Sequence, residues 1–170
     1  VIIANPNAPT GRLLPLDDIR RLLERSVDSV VVIDEAYVDF GGDSAATLIP
    51  EYPNLLVVQT LSKSRALAGL RVGMAMGESA LVEALDLVEN SCNSYPLDAI
   101  AQRAALAAIE DEAYYSDCSH RVAASRERLT GGMTFLGFEV LPSAANFILA
   151  THPSHPAREL FSQLRDRAIL

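Results

Sequence analysis

Four polar stretches carry side chains able to act together on one ligand. Lys63 stands in Thr60-Leu61-Ser62-Lys63, Arg71 follows a short Ala/Leu/Gly loop, Asp34 opens Asp34-Glu35-Ala36-Tyr37, and Asn5-Pro6-Asn7-Ala8-Pro9-Thr10-Gly11 lies near the start. A lysine attacks a carbonyl only as the free amine, a form that burial or a neighbouring cation favours. Asp34 follows four apolar residues, so its carboxylate is expected to be partly desolvated and to need a cationic partner. Thr60, Ser62 and Arg71 offer hydroxyl donors and a guanidinium fork, the equipment for a phosphate, and Tyr37 adds a phenol. A ligand with a protonatable ring nitrogen, an aldehyde and a phosphate would engage the acid, the amine and the anion clamp at once.

The elements that must hold these groups are legible as alternating patterns. Residues 1–4, 30–33, 55–60 and 72–75 are short runs dominated by β-branched and aliphatic residues and read as strands. Pro15 and Asp17-Asp18 open a helix with Ile19, Leu22 and Leu23 on one face. Further helices are expected at 80–89, 99–110 and 157–167, and a long one at about 111–135 that Gly131-Gly132 would interrupt. Residues 138–141 and 146–150 read as strands. Apolar strands between helices imply an α/β fold with a mainly parallel sheet covered on both faces. Ligands of such sheets gather beyond the carboxyl ends of the strands, which is where the polar stretches fall. A domain boundary is expected near residue 111: strand and helix alternate through residues 1–111, whereas 112–170 hold a long helix and two close strands of α+β character.

Composition narrows the classes. The chain has 170 residues with 14 Lys and Arg against 22 Asp and Glu, a net charge of −8, so the basic footprint of a nucleic-acid or anionic-membrane binder is missing. No apolar run is long enough to span a bilayer. Two cysteines, Cys92 and Cys118, make no disulfide framework, and a reducing, cytoplasmic setting is expected. His152 and His155 have no cysteine or carboxylate cluster beside them, and no metal site is expected there. The sequence starts on Val1 and stops on Leu170, both in apolar runs, the pattern expected of an internal piece of a longer protein.

Pyridoxal 5′-phosphate combines the three functions the polar stretches call for. The strings NPNAPTG, DEAYVDF, TLSKSRALAGLRVG and SYPLDAIAQRAALAAIEDEAYY resemble those of the fold-type I enzymes that use this cofactor, and most of all the histidinol-phosphate aminotransferase branch. The block around Lys63 and Arg71 is the most specific part. The resemblance implies an aspartate aminotransferase-like large domain with part of a small domain. It also implies that Lys63 bonds the cofactor aldehyde and moves the proton at the substrate Cα, and that Asp34 keeps the pyridine nitrogen protonated. Tyr37 would bond the phenolic oxygen, Thr60, Ser62 and Arg71 would hold the phosphate, and Asn146 would approach the substrate carboxylate. An amino donor such as histidinol phosphate, 2-oxoglutarate as acceptor, and a homodimer are implied as well. Two positions depart from the family pattern. Ala8 stands where the family often has an Asn that bonds the phenolic oxygen, leaving Asn7 or Asn5 as substitutes or Tyr37 to carry that bond alone, and Thr151 stands where relatives binding histidinol phosphate often carry Arg. A decarboxylase of the threonine-phosphate type and a non-enzymatic cofactor-binding sensor domain remain alternatives.

Overall fold

A computed structural model describes residues 1–93 and 95–169; Ser94, the first residue of the fourth string above, and Leu170 lie outside the described residues. Four strands form the main sheet in sequence order: β1 (Ile2–Ala4), β2 (Val31–Asp34), β3 (Leu55–Thr60) and β4 (Gly73–Gly77). The first three are parallel, with Ala4 abreast of Asp34 and Asp34 abreast of Val58. β4 runs antiparallel to β3, pairing Thr60 with Gly73. The connection from β3 to β4 has only a short 3-10 turn, Ala68–Leu70, and lacks the crossover helix that a parallel partner requires.

One face of this sheet is closed by α1 (Leu16–Arg25). Asp17 and Asp18 occupy its first turn and Arg25 its last, each sign of charge at the favourable end of the helix dipole. Ile19 and Leu23, four residues apart and hence on one side of the helix, are fully buried against Val31, Ile33, Leu55 and Val57. The 3-10 turn Ala45–Leu48 completes this core with Ala45 and Leu48. Each such aliphatic side chain contributes about 1.5–3 kcal/mol through burial.

The second face is covered only in part, against the expectation of two closed faces. Leu56 is buried there, but Ile2 is 78% exposed. Neither α2 (Ser79–Cys92) nor α4 (Glu112–Phe135) has a buried residue among those described. Beyond the strand ends, and not on this face, α3 (Ala99–Glu110) inserts Ala101 and Ala105 against Leu61 and Val72, a smaller second cluster that Met74, abreast of Gln59, packs against. Asp111, the single residue between α3 and α4, has φ −86° and ψ 55° and breaks the helical path. Gly131-Gly132 does not interrupt α4. Glycine costs a helix interior only about 1 kcal/mol, too little to stop so long a helix.

The chain ends with a two-stranded antiparallel pair, β5 (Glu139–Val140) and β6 (Ala150–Thr151), and α5 (Ala157–Asp166). Both strands are shorter than their sequence runs. Ser143 Oγ donates to Phe147 O at 2.6 Å and accepts from Ala145 N at 3.1 Å, so the intervening residues turn instead of extending. Ala144 N donates to Gly11 O at 2.8 Å, docking this turn on the loop after β1. Gly11 has φ +72°, and a Cβ there would collide with Ser143 Oγ, so only glycine suits the position.

Candidate active site

The parallel register sets the geometry of the candidate site. Asp34 and Val58 are abreast, and Thr60 lies two residues beyond Val58, so Asp34 and Thr60 share the less covered face of the sheet. Asp34 is exposed, and its Oδ1 accepts from Ala36 N at 3.0 Å. The desolvation expected from the apolar residues before it is therefore not found. β2 does supply buried residues, but Val31 and Ile33 face α1, whereas Asp34 follows Val32 on the other side.

Past the strand ends two of the groups meet. Lys63 Nζ stands 5.4 Å from the centroid of the Tyr37 ring, within cation–π range. The same ring meets Phe147 edge-on, with centroids 5.0 Å apart and planes at 88°. Among the described residues Lys63 has no carboxylate ion-pair partner. Thr60 Oγ1 lies 2.9 Å from Ser62 Oγ and accepts from Ser62 N at 3.1 Å. Arg71 is adjacent in the chain to Val72, whose carbonyl accepts from Leu61 N at 3.1 Å. It adopts a left-handed conformation at φ +56°, a strain of about 1–3 kcal/mol for a residue other than glycine. Among the described residues its guanidinium makes one contact, Nη1 to Ala68 O at 3.2 Å, and the residue is exposed.

Asn146 joins this group through a cavity of about 220 Å³ that it lines with Lys63, Phe40, Tyr114 and Cys118. The neighbouring Cys118 thiol holds the Tyr114 phenol above the usual tyrosine range. Asn7 is not drawn in: its Oδ1 accepts from Thr10 Oγ1 at 2.7 Å inside its own loop. Asn5 is committed elsewhere. It is 1% exposed, its Nδ2 donates to Leu14 O at 3.1 Å and its Oδ1 accepts from Leu14 N at 2.7 Å.

Sequence reasoning missed two residues of this region. Glu35 is 2% exposed and accepts three hydrogen bonds. The alternation Val31, Ile33, Glu35 carried the signal, since it places the glutamate on the core face. Arg126, on α4, donates from Nη1 to Phe40 O at 3.0 Å and Ala145 O at 2.8 Å. It fixes the residue before Asn146 to the turn after Tyr37. No local pattern announces it, because Phe40 is distant in sequence.

The donor set fits pyridoxal phosphate by its chemistry. A carboxylate and two hydroxyls lie at or just past the ends of two adjacent strands, followed by an amine with no acidic partner among the described residues and by the Arg71 guanidinium. No described helix is long and apolar enough to cross a membrane.

Comparisons with known proteins agree on one group. The sequence model of the family described as "Aminotransferase class I and II" matches residues 1–170. Histidinol-phosphate aminotransferase 2 of Dechloromonas aromatica (strain RCB) is 62% identical over 170 residues, covering 100% of this chain and 48% of that protein. The chain thus spans about half the length of the curated relatives it matches. The crystal structure of histidinol-phosphate aminotransferase from Sinorhizobium meliloti in complex with pyridoxal-5′-phosphate superposes with a TM-score of 0.89 at 27% identity, covering 100% of this chain and 47% of that one. L-threonine-O-3-phosphate decarboxylase from Porphyromonas gingivalis superposes with a TM-score of 0.84 at 26% identity, covering 99% and 52%. The fold class is the α/β, mainly parallel one of pyridoxal-phosphate-dependent aminotransferases.

Proposed function

The chain belongs to the aminotransferase class I and II family, and on that premise we propose that it carries the cofactor-binding core of a pyridoxal-phosphate-dependent transaminase. Its substrates are histidinol phosphate and 2-oxoglutarate, the products imidazole acetol phosphate and glutamate, and its place is histidine biosynthesis. The observation that carries this reading is the convergence at the tips of β2 and β3, where Lys63 Nζ lies 5.4 Å from the Tyr37 ring and Asp34 shares a sheet face with Thr60. Its support for the substrate is the 62% identity with a protein of that name.

The cofactor, when bound, supplies an aldehyde and an electron-withdrawing ring that takes up the electron pair released at the substrate Cα. The chain's residues do the rest. Lys63 would hold the aldehyde through Nζ and would carry the proton to and from the substrate Cα. Asp34 holds a proton on the ring nitrogen, and Tyr37 donates to the phenolic oxygen. Thr60, Ser62 and Arg71 hold the phosphate and so fix the ring's orientation, converting binding energy into alignment. Asn146 meets the substrate carboxylate, and Tyr37 alone serves the phenolic oxygen where Ala8 replaces the family's asparagine, since Asn7 is engaged with Thr10. Residues 1–111 belong to the large cofactor-binding domain, and 112–170 to the linking helix and the small domain. The working form is a cytoplasmic homodimer.

The superposition on L-threonine-O-3-phosphate decarboxylase from Porphyromonas gingivalis supports a second reading as a decarboxylase, and Thr151, in place of the arginine that often meets a substrate phosphate, bears on both readings alike. Glutamate formed from 2-oxoglutarate, against carbon dioxide released from an amino-acid phosphate, decides between the two. The assignment of Lys63 is tested by borohydride reduction of the complete protein and peptide mass spectrometry. A pyridoxyl adduct on Lys63, absent from Lys63→Ala, is expected; an adduct on another residue, or none, overturns the reading.

A further inference from the structure

We infer that Glu35 is a positioning residue: a buried rivet beneath the candidate site that sets the tips of β2 and β3 against each other. The inference rests on the reading of Asp34, Tyr37 and Thr60 as cofactor-holding groups, and assigns a role to a residue that reading leaves unused.

Glu35 is the only acidic residue in the buried class among the described residues, at 2% exposure. Its Oε1 accepts from Ala45 N at 2.6 Å, and its Oε2 from Ser44 Oγ at 2.6 Å and Gln59 Nε2 at 2.8 Å. All three donors are neutral, and none of the ion pairs among the described residues includes Glu35. A buried carboxylate without a cation survives only when hydrogen bonds replace its hydration, so all three contacts are needed.

The donors come from places that matter to the site. Gln59 precedes Thr60 on β3, Glu35 follows Asp34 on β2, and Tyr37 comes two residues later. Ser44 and Ala45 begin the 3-10 turn that closes the core. In the backbone, Glu35 N donates to Val58 O at 2.8 Å, the last rung between these strands, and Val38 N donates to Glu35 O at 3.2 Å. Asp34 and Thr60 emerge on one face of the sheet while Glu35 and Gln59 join hands on the other. A side chain that never meets the cofactor therefore fixes the separation of two groups that do.

Chemistry supplies a graded test. Glu35→Ala takes the carboxylate from all three donors and leaves Gln59 Nε2 only its 3.4 Å contact with Ser44 Oγ. Glu35→Gln keeps an acceptor for Ala45 N, and its new amide donates to Ser44 Oγ and to Gln59 once that carboxamide has turned over. The transposed pair Glu35→Gln with Gln59→Glu restores one carboxylate between the strands. In the complete protein, cofactor Kd from titration of the apoenzyme and the split of kcat against KM are measured for all three and for Gln59→Ala. Expected is a rise in cofactor Kd of about tenfold or more for Glu35→Ala, the scale of one lost hydrogen bond to a charged group. A smaller rise is expected for Gln59→Ala, and recovery of most of the affinity in Glu35→Gln and in the transposed pair. Should Glu35→Ala fail to fold, the ordering of the other three decides. Variants that lower the melting temperature yet leave cofactor Kd and kcat at the parental values overturn the inference, as does a transposed pair no better than Gln59→Ala. A parental protein that forms no pyridoxyl adduct at Lys63 sinks the underlying reading instead, a result distinct from either.

Discussion

The two faces of the four-stranded sheet differ in what covers them. On one, Ile19, Leu23, Val31, Ile33, Leu55 and Val57 are all fully buried and drawn from within the first sixty residues, so neighbouring segments close it. On the other, Ile2 is 78% exposed, and Asp34 and Thr60 occupy the strand tips. Stability is concentrated on the first face and chemistry on the second. A reactive group must stay accessible to its ligand, so it is set on the side that burial leaves open, while its position is fixed from the closed side.

Substitutions on the two faces should therefore separate into stability and function. Leu23→Ala, in the closed face, should cost about 2–5 kcal/mol by cavity formation, read from urea unfolding, with activity per folded molecule unchanged. A loss below 1 kcal/mol would dissolve the contrast. Arg71→Ala should weaken cofactor binding by about ten- to a hundredfold, since a hydrogen bond to a charged group is worth about 1.5–3 kcal/mol. It should leave the unfolding midpoint in place, and equal effects on both would blur the division. Leu87→Ser, on the bare side of α2, should change the unfolding free energy of the 170-residue chain by no more than about 0.5 kcal/mol. A larger loss would show that this side is closed after all.

Much of this arrangement was written locally. The alternation of apolar residues in Val31–Asp34, the aspartates at the start of α1 and the i, i+4 pair Ile19 and Leu23 located the elements and the closed face. The strings around Lys63 and Asp34 located the candidate site. Non-local facts stayed hidden. The antiparallel course of β4 depends on a missing crossover helix, and the shortened β5 and β6 on Ser143 bonding across a turn. Asp34 and Glu35 read as one polar cluster, although the two-residue period of a strand sends them to opposite faces. The partners of Glu35 could not be guessed, because Ser44 and Gln59 are brought to it only by the packing of β3 and the following turn. Strand periodicity names a face. It does not name the neighbour across it.

The clamp that Asn5 makes on Leu14 has a consequence for the lifetime of the folded chain. Asparagine ages chiefly when the next main-chain nitrogen attacks the carboxamide, closing an imide that opens to aspartate. That change would set a carboxylate oxygen against the carbonyl of Leu14, to which Asn5 Nδ2 now donates. Pro6 follows Asn5 and has no hydrogen on its nitrogen, so the route is shut at the one loop asparagine whose amide spans both directions of a backbone pairing. Asn7, followed by Ala8, has no such shield, and slow chemical wear of this loop should begin there.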